Sequence, residues 1–345
     1  MTSIDSSILD TAAVTSWLVD NIDGVVPPLR FDRIVGGNSN ISVKVTDAAG
    51  RRYVLRRPPI SEVLSTAHDM AREHRIITGL AGSRVPVPPA LGLCEDHDVI
   101  GATFYVMAFV DGLVLSSPND VIAHLAPEAR VALADDLVDV LLELHATAPS
   151  DVGLEGLGRP DGYVERQLRR WSKQLDQLES PRGSRLARLR DELEVRRPPQ
   201  GPPAIAHGDY RLANCLVGAD GNIRSVLDWE LCTIGDPLAD LGYLLLDWDS
   251  SGSADPVNAV SPTLAEGFPS RTRALERYAQ RTDRDVAQID FFVAFSAWRR
   301  ACILEGVYRR FVAGAVGTVP DDVETFVARI GRYLDAAEEV LQRAS

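Results

Sequence analysis

The chain has 345 residues, of which 45% are hydrophobic and 25% charged, and its formal net charge is −13. This length suffices for one large domain or two lobes with a filled core, and the composition is that of an ordinary globular protein. No run of about 18 apolar residues is present, so no membrane span is expected. The acidic charge argues against a nucleic-acid partner, because a phosphate polymer would be repelled.

The N-terminus and the cysteines both indicate the cytoplasm. The N-terminal segment has no basic region followed by an apolar core, so a secretory signal is not expected. Its apolar residues from Ile8 to Leu18 recur instead at helical spacing. The four cysteines are widely spaced and include no CxxC pair. Neither a zinc site nor a disulfide framework is therefore predicted, and a reducing compartment fits.

Residues 31–109 predict an antiparallel sheet with one helix packed on it. Strand patterns cover 31–35, 41–45, 52–56, 90–94 and 103–109, and a helix is expected from about Ser65 to Leu80. The first two strands are joined by a loop whose backbone N–H groups can surround phosphate oxygens. That loop consists of Gly36, Gly37, Asn38, Ser39 and Asn40.

From residue 110 onward, helical patterns dominate. Apolar residues between Val131 and Leu144 recur at a spacing of 3.6. Further helices are predicted over 162–179, 184–195, 238–248, 271–282, 290–312 and 321–343. The Pro-rich stretch 196–203 predicts a stiff linker, and the Ser-, Pro- and Asp-rich stretch 250–262 predicts a surface loop.

Three polar residues of fixed type lie at the ends of short apolar runs within residues 205–228. Asp209 closes the triplet His207-Gly208-Asp209, Asn214 follows five residues later, and Asp228 ends the next apolar run. The apolar runs predict short buried strands, which places the polar groups at strand ends. A carboxylate, an amide and a second carboxylate are oxygen ligands that suit Mg²⁺, whose shell phosphate oxygens usually complete.

This pattern resembles the aminoglycoside phosphotransferase and choline-kinase branch of the kinase fold, in which HGDxxxxN precedes a D-[FWL]-[ED] triplet, here Asp228-Trp229-Glu230. The sequence Leu55-Arg56-Arg57-Pro58 is similar to kinase-like domains linked to acyl-CoA dehydrogenases. The resemblance implies a bilobed α+β fold, with a small antiparallel-sheet N-lobe over 1–109 and a mostly helical C-lobe over 110–345. It also implies phosphorylation of a hydroxyl group on a small molecule, with ATP and Mg²⁺.

The resemblance also implies roles for individual residues. Asp209 would orient or deprotonate the acceptor hydroxyl, while Asn214 and Asp228 would hold Mg²⁺. The loop 36–40 would cover the nucleotide phosphates. Arg56 stands where the family has a phosphate-pairing Lys, and Glu73 would pair with it from the helix. The adenine would meet the hinge, formed by Met107, Ala108, Phe109 and Val110.

Some alternatives stay open at this point. Lys44 on the second strand is a rival to Arg56 for the phosphates. Asp247 and Asp249 would suit an amino-sugar cation, whereas Arg299 and Arg300 would favour an anionic or CoA-like substrate. The alternative functions are a kinase of a hydroxyacyl-CoA-like or other anionic metabolite, a GTP-preferring kinase, and a non-catalytic nucleotide-binding pseudokinase. A protein kinase is disfavoured because H-G-D replaces H-R-D.

The same segment predicts two structural carboxylates. Asp236 precedes Pro237, a pairing typical of a helix start. Asp240, one turn further on, resembles the buried Asp that anchors the catalytic loop in this fold. His207 is interpreted as a brace of that loop, because an imidazole can donate and accept at once.

Overall fold

The protein is described here from a computed structural model, which covers residues 8–34, 40–59, 69–176, 180–249, 256–312 and 323–343. The strands in these ranges are β1 (Arg30–Ile34), β2 (Ile41–Thr46), β3 (Arg52–Arg57), β4 (Ala90–Cys94), β5 (Phe104–Ala108), β6 (Leu113–Val114), β7 (Ala204–Ala206), β8 (Cys215–Val217), β9 (Ile223–Val226) and β10 (Thr233–Gly235). The helices are α1 (Thr11–Asn21), α2 (Met70–Leu80), α3 (His97–Ile100), α4 (Pro118–His124), α5 (Pro127–Ala146), α6 (Tyr163–Asp176), α7 (Gly183–Arg196), α8 (Pro237–Leu246), α9 (Arg271–Gln280), α10 (Ile289–Val312) and α11 (Val323–Arg343).

This order is the α+β, bilobed arrangement predicted from the sequence. The predicted strands and long helices lie within a few residues of their expected positions, while α3, α4, β6 and β10 were not predicted. These four elements are too short to show a periodic pattern. The predicted helix from Ser65 begins at Met70 in the described chain, and residues 60–68 lie outside it. None of the helices in the described ranges has the length and apolar character needed to cross a membrane.

Strands β1 to β5 form one antiparallel sheet in the order β1-β2-β3-β5-β4. Lys44 lies opposite Val54, and Ser42 opposite Arg56. Because side chains alternate along a strand, these four residues share one face of the sheet. The other face packs against α1. The face that carries Arg56 is therefore turned toward α2 and the rest of the chain.

Helix α2 has a buried stripe that contains one carboxylate. Asp69 accepts a hydrogen bond from the Arg72 N–H at 2.9 Å and begins the helix. The buried positions recur every three or four residues and include Glu73 among apolar side chains. A carboxylate buried on such a stripe requires partners, and it finds them on the sheet, as described below.

Residues 207–214 lie between two small sheets. Strand β7 pairs with β10, whereas β8 pairs with β6 and β9. Residues 207–214 therefore leave one sheet and enter the other, which turns their polar groups out of both. The sequence predicted the strands, but their division between two sheets depends on pairing with the distant β6 and β10.

Helix α8 lies at the centre of the helical part, and each of its ten residues is buried. It packs against α10 so closely that a Cβ atom at Gly242 would lie 2.6 Å from the carbonyl carbon of Phe292. Two helix backbones can approach this closely only where one of them has no side chain.

Replacing Gly242 by Ala is therefore expected to destabilise the fold, by about 1–3 kcal/mol for overpacking, less the gain in helix propensity. Thermal unfolding followed by circular dichroism measures the effect as a lower Tm. Gly331→Ala in α11 is the matched control, because a Cβ atom there meets nothing within 4 Å. Its Tm should be unchanged or higher, and equal behaviour of the two variants would contradict the close packing of α8 and α10.

Candidate active site

A buried carboxylate fixes the loop between β7 and β8. Asp240 of α8 accepts hydrogen bonds from the backbone N–H groups of His207 at 2.5 Å and Gly208 at 2.8 Å. Burial would raise the pKa of Asp240, but His145, whose Nε2 lies 3.6 Å away, and the groups of the loop lower it. The predicted anchoring role of Asp240 is confirmed. Asp236 caps α8 through the Leu238 N–H at 3.0 Å, also as predicted.

Gly208 is the residue at which the loop turns. Its φ of 84° is in the left-handed region, and a Cβ atom there would lie 2.7 Å from the Leu231 carbonyl oxygen. Only glycine satisfies both conditions without strain. The guanidinium of Arg299 donates a hydrogen bond to the Gly208 carbonyl from beneath the loop.

His207 joins the loop to Leu227, which lies between β9 and Asp228. Its Nδ1 accepts a hydrogen bond from the Asp209 N–H at 3.2 Å, and its Nε2 lies 2.9 Å from the Leu227 carbonyl oxygen. A ring that accepts at Nδ1 and donates at Nε2 is the neutral Nε2–H tautomer, assigned from these partners. The His207 ring also packs on Trp229, with ring centroids 4.6 Å apart. This is the bracing role predicted from the sequence.

Asp209 and Asn214 lie in direct contact. The Asn214 amide donates from Nδ2 to the Asp209 backbone oxygen at 2.9 Å and to the carboxylate Oδ2 at 2.8 Å. This use of the nitrogen leaves the amide oxygen of Asn214 as the group that can face a cation. The Asp209 side chain is 21% exposed, so its carboxylate can be reached from the cleft.

The electrostatic surroundings keep Asp209 ionised. Burial alone would raise its pKa, but the charges of Arg211 and Arg300 and a hydrogen bond from Tyr243 outweigh burial, and the pKa is lowered. Arg300 in turn donates to the Tyr243 hydroxyl oxygen at 2.5 Å, so Tyr243 lies between this guanidinium and the surroundings of Asp209. Asp209 is therefore available as a hydrogen-bond acceptor at neutral pH.

We expect Tyr243→Phe to shift the acidic limb of the kcat/KM profile to higher pH. The variant loses the hydroxyl that lowers the Asp209 pKa, so this pKa rises and protonation begins at higher pH. A base that must be ionised loses activity as pH falls through its pKa, which fixes the direction. Tyr308→Phe, distant on α10, is the control and should follow wild type. Coincident profiles for Tyr243→Phe and wild type would contradict the coupling.

Asp228 has an unusual backbone conformation. Its φ of 66° is in the left-handed region, and it is the one non-glycine residue with positive φ in the described ranges. This conformation costs an L-residue roughly 1–2 kcal/mol, although Asp tolerates it better than most. Such strain is typical of functional positions. The Asp228 carboxylate is 36% exposed and lies at the end of β9 beside the catalytic loop.

An ion-pair network links Asp228 to the five-stranded sheet. Arg56 lies 3.4 Å from the Asp228 carboxylate through one terminal nitrogen and 3.5 Å from Glu73 through Nε. Glu73 also accepts hydrogen bonds at 3.0 Å from the Tyr105 hydroxyl and the Asn40 amide. Burial would lower the pKa of Arg56, but Tyr105, Glu73 and Asp228 together raise it. The predicted partners Arg56 and Glu73 are thus brought together beside Asp228.

Lys44, the rival to Arg56, occupies a different position. Its ammonium group lies 5.0 Å from the centroid of the Phe109 ring, which the Arg52 guanidinium also contacts at 4.8 Å. Lys44 shares the face of the sheet with Arg56 but lies nearer the hinge. The geometry therefore favours Arg56 as the residue that faces the carboxylates.

The hinge offers fewer free backbone donors than the sequence suggested. The Ala108 N–H donates to the Pro89 carbonyl at 2.9 Å, and the Phe109 N–H donates to the Arg52 carbonyl at 3.1 Å. The Val110 N–H has no hydrogen-bond partner within the described chain. Of the five residues predicted to cover the nucleotide phosphates, residues 36–39 lie outside the described residues. Asn40 is described, and its amide contacts Glu73.

Comparison with known proteins identifies the family to which this site belongs. A family model described as "Phosphotransferase enzyme family" matches residues 30–290. The chain belongs to that family. The match covers both the Arg56–Glu73 pair and the segment from His207 to Asp240.

Three proteins illustrate the similarity of this phosphotransferase. It is 33% identical over 297 residues to acyl-CoA dehydrogenase family member 10 of Mus musculus, covering 84% of this chain and 27% of that protein. It spans about a third of the length of the curated relatives it matches. A crystal structure from Ralstonia eutropha JMP134, assigned as an aminoglycoside phosphotransferase, has a TM-score of 0.79 at 32% identity, covering 97% of this chain and 98% of that one.

The third is a solved structure of an amicoumacin kinase, hAmiN, in complex with AMP-PNP, Ca²⁺ and Ami. Its TM-score is 0.63 at 15% identity, and the match covers 97% of this chain and 93% of that one. At this identity, the likeness shows the fold alone.

Beside Asn214, the phosphotransferase has a cavity of about 420 Å³, called here the acceptor cavity. Its polar lining includes Arg211, Arg300, Arg329, Asp247 and Asn258. Apolar groups, among them Leu212, Leu244 and Val260, form the rest of the wall. Asn214, which contacts Asp209, is part of the cavity wall, so the cavity lies next to the Asp209–Asn214 pair.

The two acidic residues predicted to bind a cation have partners within the chain. Asp247 lies 3.5 Å from Arg300 and 3.8 Å from Arg211, and it accepts a hydrogen bond from the Asn258 amide at 3.2 Å. Asp249 accepts from the Asn258 backbone N–H at 3.1 Å. The described part of the predicted surface loop, residues 256–262, is irregular and exposes Val260, but Asn258 and Ser261 are buried within it. The hydrogen bonds that Asn258 donates to the carboxylates of Asp247 and Asp249 compensate for the burial of Asn258.

The two arginines that were predicted to favour an anionic substrate occupy different positions. Arg300 lines the acceptor cavity and contacts Tyr243 and Asp247. Arg299 is buried beneath the catalytic loop, with its guanidinium 4.8 Å from the Tyr243 ring centroid. Arg299 therefore supports the loop and does not line the cavity.

Sequence reasoning missed three residues of this site. Arg211 is two residues from Asp209, so its place within the motif was an available signal. Tyr243 follows Asp240 by three residues and so shares its helix face. Arg329 lies on α11, and nothing in its local sequence connects it with the catalytic loop.

Proposed function

We propose that this chain transfers a phosphoryl group from ATP, with Mg²⁺, to a hydroxyl group on a small molecule. The observation that carries the proposal is the hydrogen-bonded unit formed by Asp209, Asn214 and His207. His207 also contacts the Leu227 carbonyl oxygen, and this contact fixes the position of the adjacent Asp228. The Leu227 N–H also donates to the Asn214 carbonyl at 2.8 Å, so the residue before Asp228 is bound directly to Asn214. Phosphoryl transfer needs such positioning more than it needs covalent chemistry.

Asn214 and Asp228 fit the requirements of a magnesium site. The Asn214 amide nitrogen is already used, which leaves its oxygen free, and the Asp228 carboxylate is partly exposed. Mg²⁺ is typically held by one or two protein oxygen groups, with waters and phosphates completing the shell. When bound, the ion would neutralise the charge of the nucleotide phosphates. Arg56, held by Glu73, would supply a further positive charge beside them.

The nucleotide would bind on the Arg56 face of the sheet. We propose that residues 1–109 form the N-lobe that grips it and that residues 110–345 form the C-lobe. The adenine edge would be read by the Val110 N–H, because the Ala108 and Phe109 N–H groups are already used. Val54 and Met107, paired across β3 and β5, would lie against the ring. The amicoumacin kinase of similar fold was solved with a nucleotide analogue and a divalent ion.

Asp209 would act on the acceptor hydroxyl. An oxygen of the acceptor forms a bond to the γ-phosphorus while the bond to the β-phosphate oxygen breaks, and the hydroxyl proton leaves toward Asp209. The lowered pKa of Asp209 suits orientation of the hydroxyl and acceptance of its proton late in the transfer. We place the enzyme in the cytoplasm, in keeping with its four free, buried cysteines.

A second candidate is the kinase of a hydroxyacyl-CoA-like or other anionic metabolite. The observation that favours it is the arginine lining of the acceptor cavity, since an amino-sugar cation would be repelled there. The matched relatives are named as acyl-CoA dehydrogenase family members, and this chain spans about a third of their length.

The direct test measures ATP consumption by the full chain with a panel of aminoglycosides and hydroxyacyl-CoA thioesters. Turnover that needs both an acceptor and Mg²⁺, and that EDTA abolishes, is the expected result. Asp209→Ala is the control without the acceptor-facing carboxylate. If wild type consumes ATP no faster than Asp209→Ala with any acceptor while still binding Mg·ATP, the enzyme proposal fails and a nucleotide-binding pseudokinase remains.

A further inference from the structure

The acceptor cavity contains an excess of positive charge. Arg211, Arg300 and Arg329 all line it, and Asp247 is the one carboxylate in its described lining. When Asp209 at the rim is included, the cavity has three guanidinium groups and two carboxylates. This excess stands in a chain whose formal net charge is −13. A local charge opposite to that of the whole molecule indicates a ligand of the complementary sign.

The arginines are only loosely paired with those carboxylates. Arg211 lies 3.8 Å from both Asp209 and Asp247, and Arg300 lies 3.5 Å from Asp247. Charge-assisted hydrogen bonds between guanidinium and carboxylate groups usually measure about 2.7–2.9 Å. In addition, the Nε of Arg211 is buried and has no hydrogen-bond partner in the described chain. The Nε of Arg211 is therefore available to a bound anion, whereas one terminal nitrogen of Arg300 already donates to Tyr243.

Arg329 has no carboxylate partner within the described ranges. Its guanidinium lies 5.0 Å from the centroid of the Phe326 ring, and its Nε is buried without a hydrogen-bond partner. Burial and repulsion from Arg300, Arg332 and Arg211 lower its pKa. A guanidinium group kept near other cations without a carboxylate costs free energy, which an anionic ligand would recover.

We propose that the acceptor is a hydroxylated carboxylate or phosphate whose anionic group is bound by Arg211, Arg300 and Arg329. Arg329 is then a specificity-determining residue, and Asp247 holds the other two arginines in place. This inference rests on the proposed phosphotransfer and names the substrate class of the same site.

The position of Arg211 limits the size of the acceptor. Its Nε faces Asp209 and one of its terminal nitrogens faces Asp247, so one guanidinium spans the distance between the two carboxylates. An anion on Arg211 would accordingly place a nearby hydroxyl of the same small molecule beside Asp209. The apolar wall formed by Leu212, Leu244 and Val260 would cover the carbon skeleton.

Calorimetric titration of the full chain, saturated with Mg·ADP, tests the proposal. The probes are 3-hydroxybutyrate as a hydroxycarboxylate, glycerol 3-phosphate as a hydroxylated phosphate, and kanamycin as a polycation. At least one anion should bind and kanamycin should not. Arg329→Gln should raise the Kd of the bound anion by about 10- to 100-fold, the worth of hydrogen bonds to a charged group. Arg329→Lys, which keeps the charge, should recover part of the affinity.

Arg332→Gln is the matched control, because Arg332 is on the same helix and likewise has a buried Nε without a hydrogen-bond partner in the described chain, but does not line the cavity. Its Kd should equal that of wild type. Equal losses in Arg329→Gln and Arg332→Gln, binding of kanamycin, or binding of neither anion would each overturn the inference. Mg·ATP binding by wild type in the absence of acceptor separates the two proposals. If wild type binds Mg·ATP but none of the anions, only the proposed substrate class fails. If wild type does not bind Mg·ATP, the proposed function fails as well.

Discussion

Asp209→Asn is expected to lower kcat by about 10³-fold while leaving the Kd of Mg·ATP nearly unchanged. General-base and hydroxyl-orienting groups contribute roughly 10²- to 10⁴-fold in enzymes, and an amide cannot accept the hydroxyl proton. The loop should keep its shape, because Asp240 holds it through the His207 and Gly208 backbone N–H groups. The measurement is single-turnover phosphorylation of an accepted substrate, with nucleotide affinity determined separately by calorimetry.

A distant carboxylate provides the control for this experiment. Asp220 lies in the β8–β9 turn, exposed and paired with Arg224 at 2.7 Å. Asp220→Asn should retain wild-type kcat. If Asp209→Asn keeps more than about a tenth of wild-type kcat, the contribution of Asp209 to the rate is smaller than the roughly 10²-fold minimum expected of a general base, and the proposed role is wrong.

Arg56→Met is expected to reduce kcat/KM by about 10²- to 10³-fold, the typical loss when one preorganised charge is removed from a transition state. It should also destabilise the fold by about 3–5 kcal/mol, because buried Glu73 loses its cationic partner. The carboxyl of Glu73, whose pKa burial already raises, would then become easier to protonate. Steady-state kinetics and thermal unfolding measure the two effects independently.

Companion variants separate the chemical role of Arg56 from its structural one. Arg56→Met combined with Glu73→Gln removes both charges and should regain stability without regaining activity, a non-additive result typical of contacting residues. Arg56→Lys keeps a charge but loses the two-pronged geometry, so it should be intermediate in kcat/KM. Lys44→Met should have much the smaller effect. A full loss in Lys44→Met with an active Arg56→Met would assign the phosphate role to Lys44.

Much of the fold could be predicted from the sequence because its elements have strong local signals. The period-two runs of β1, β2 and β3 and the apolar stripes of α5 and α10 are properties of contiguous residues. The spacing of Asp209, Asn214 and Asp228 is likewise local, since all three lie within the loop and hairpin formed by β7, β8 and β9. Such features do not depend on where the rest of the chain packs.

The nucleotide side of the site was only partly decided by sequence. Arg56 and Glu73 were predicted as partners, but their joint approach to Asp228 and the separate position of Lys44 follow from sheet register and the docking of α2. At the hinge, the sequence indicated four residues as contacts of the adenine and did not distinguish between them. Because the Ala108 and Phe109 N–H groups already have backbone partners, we propose the Val110 N–H as the donor to the adenine.

The sequence by itself determined the family, the fold and the types of residue at the catalytic loop, because these depend on local spacing. Only the tertiary structure decided the character of the acceptor side. There Asp247 and Asp249 are held by internal partners, Arg299 lies beneath the loop, and Arg329 reaches the cavity from α11. Burial and ion pairing between residues far apart in the chain set these properties, and no local pattern encodes which distant helix will supply a charge.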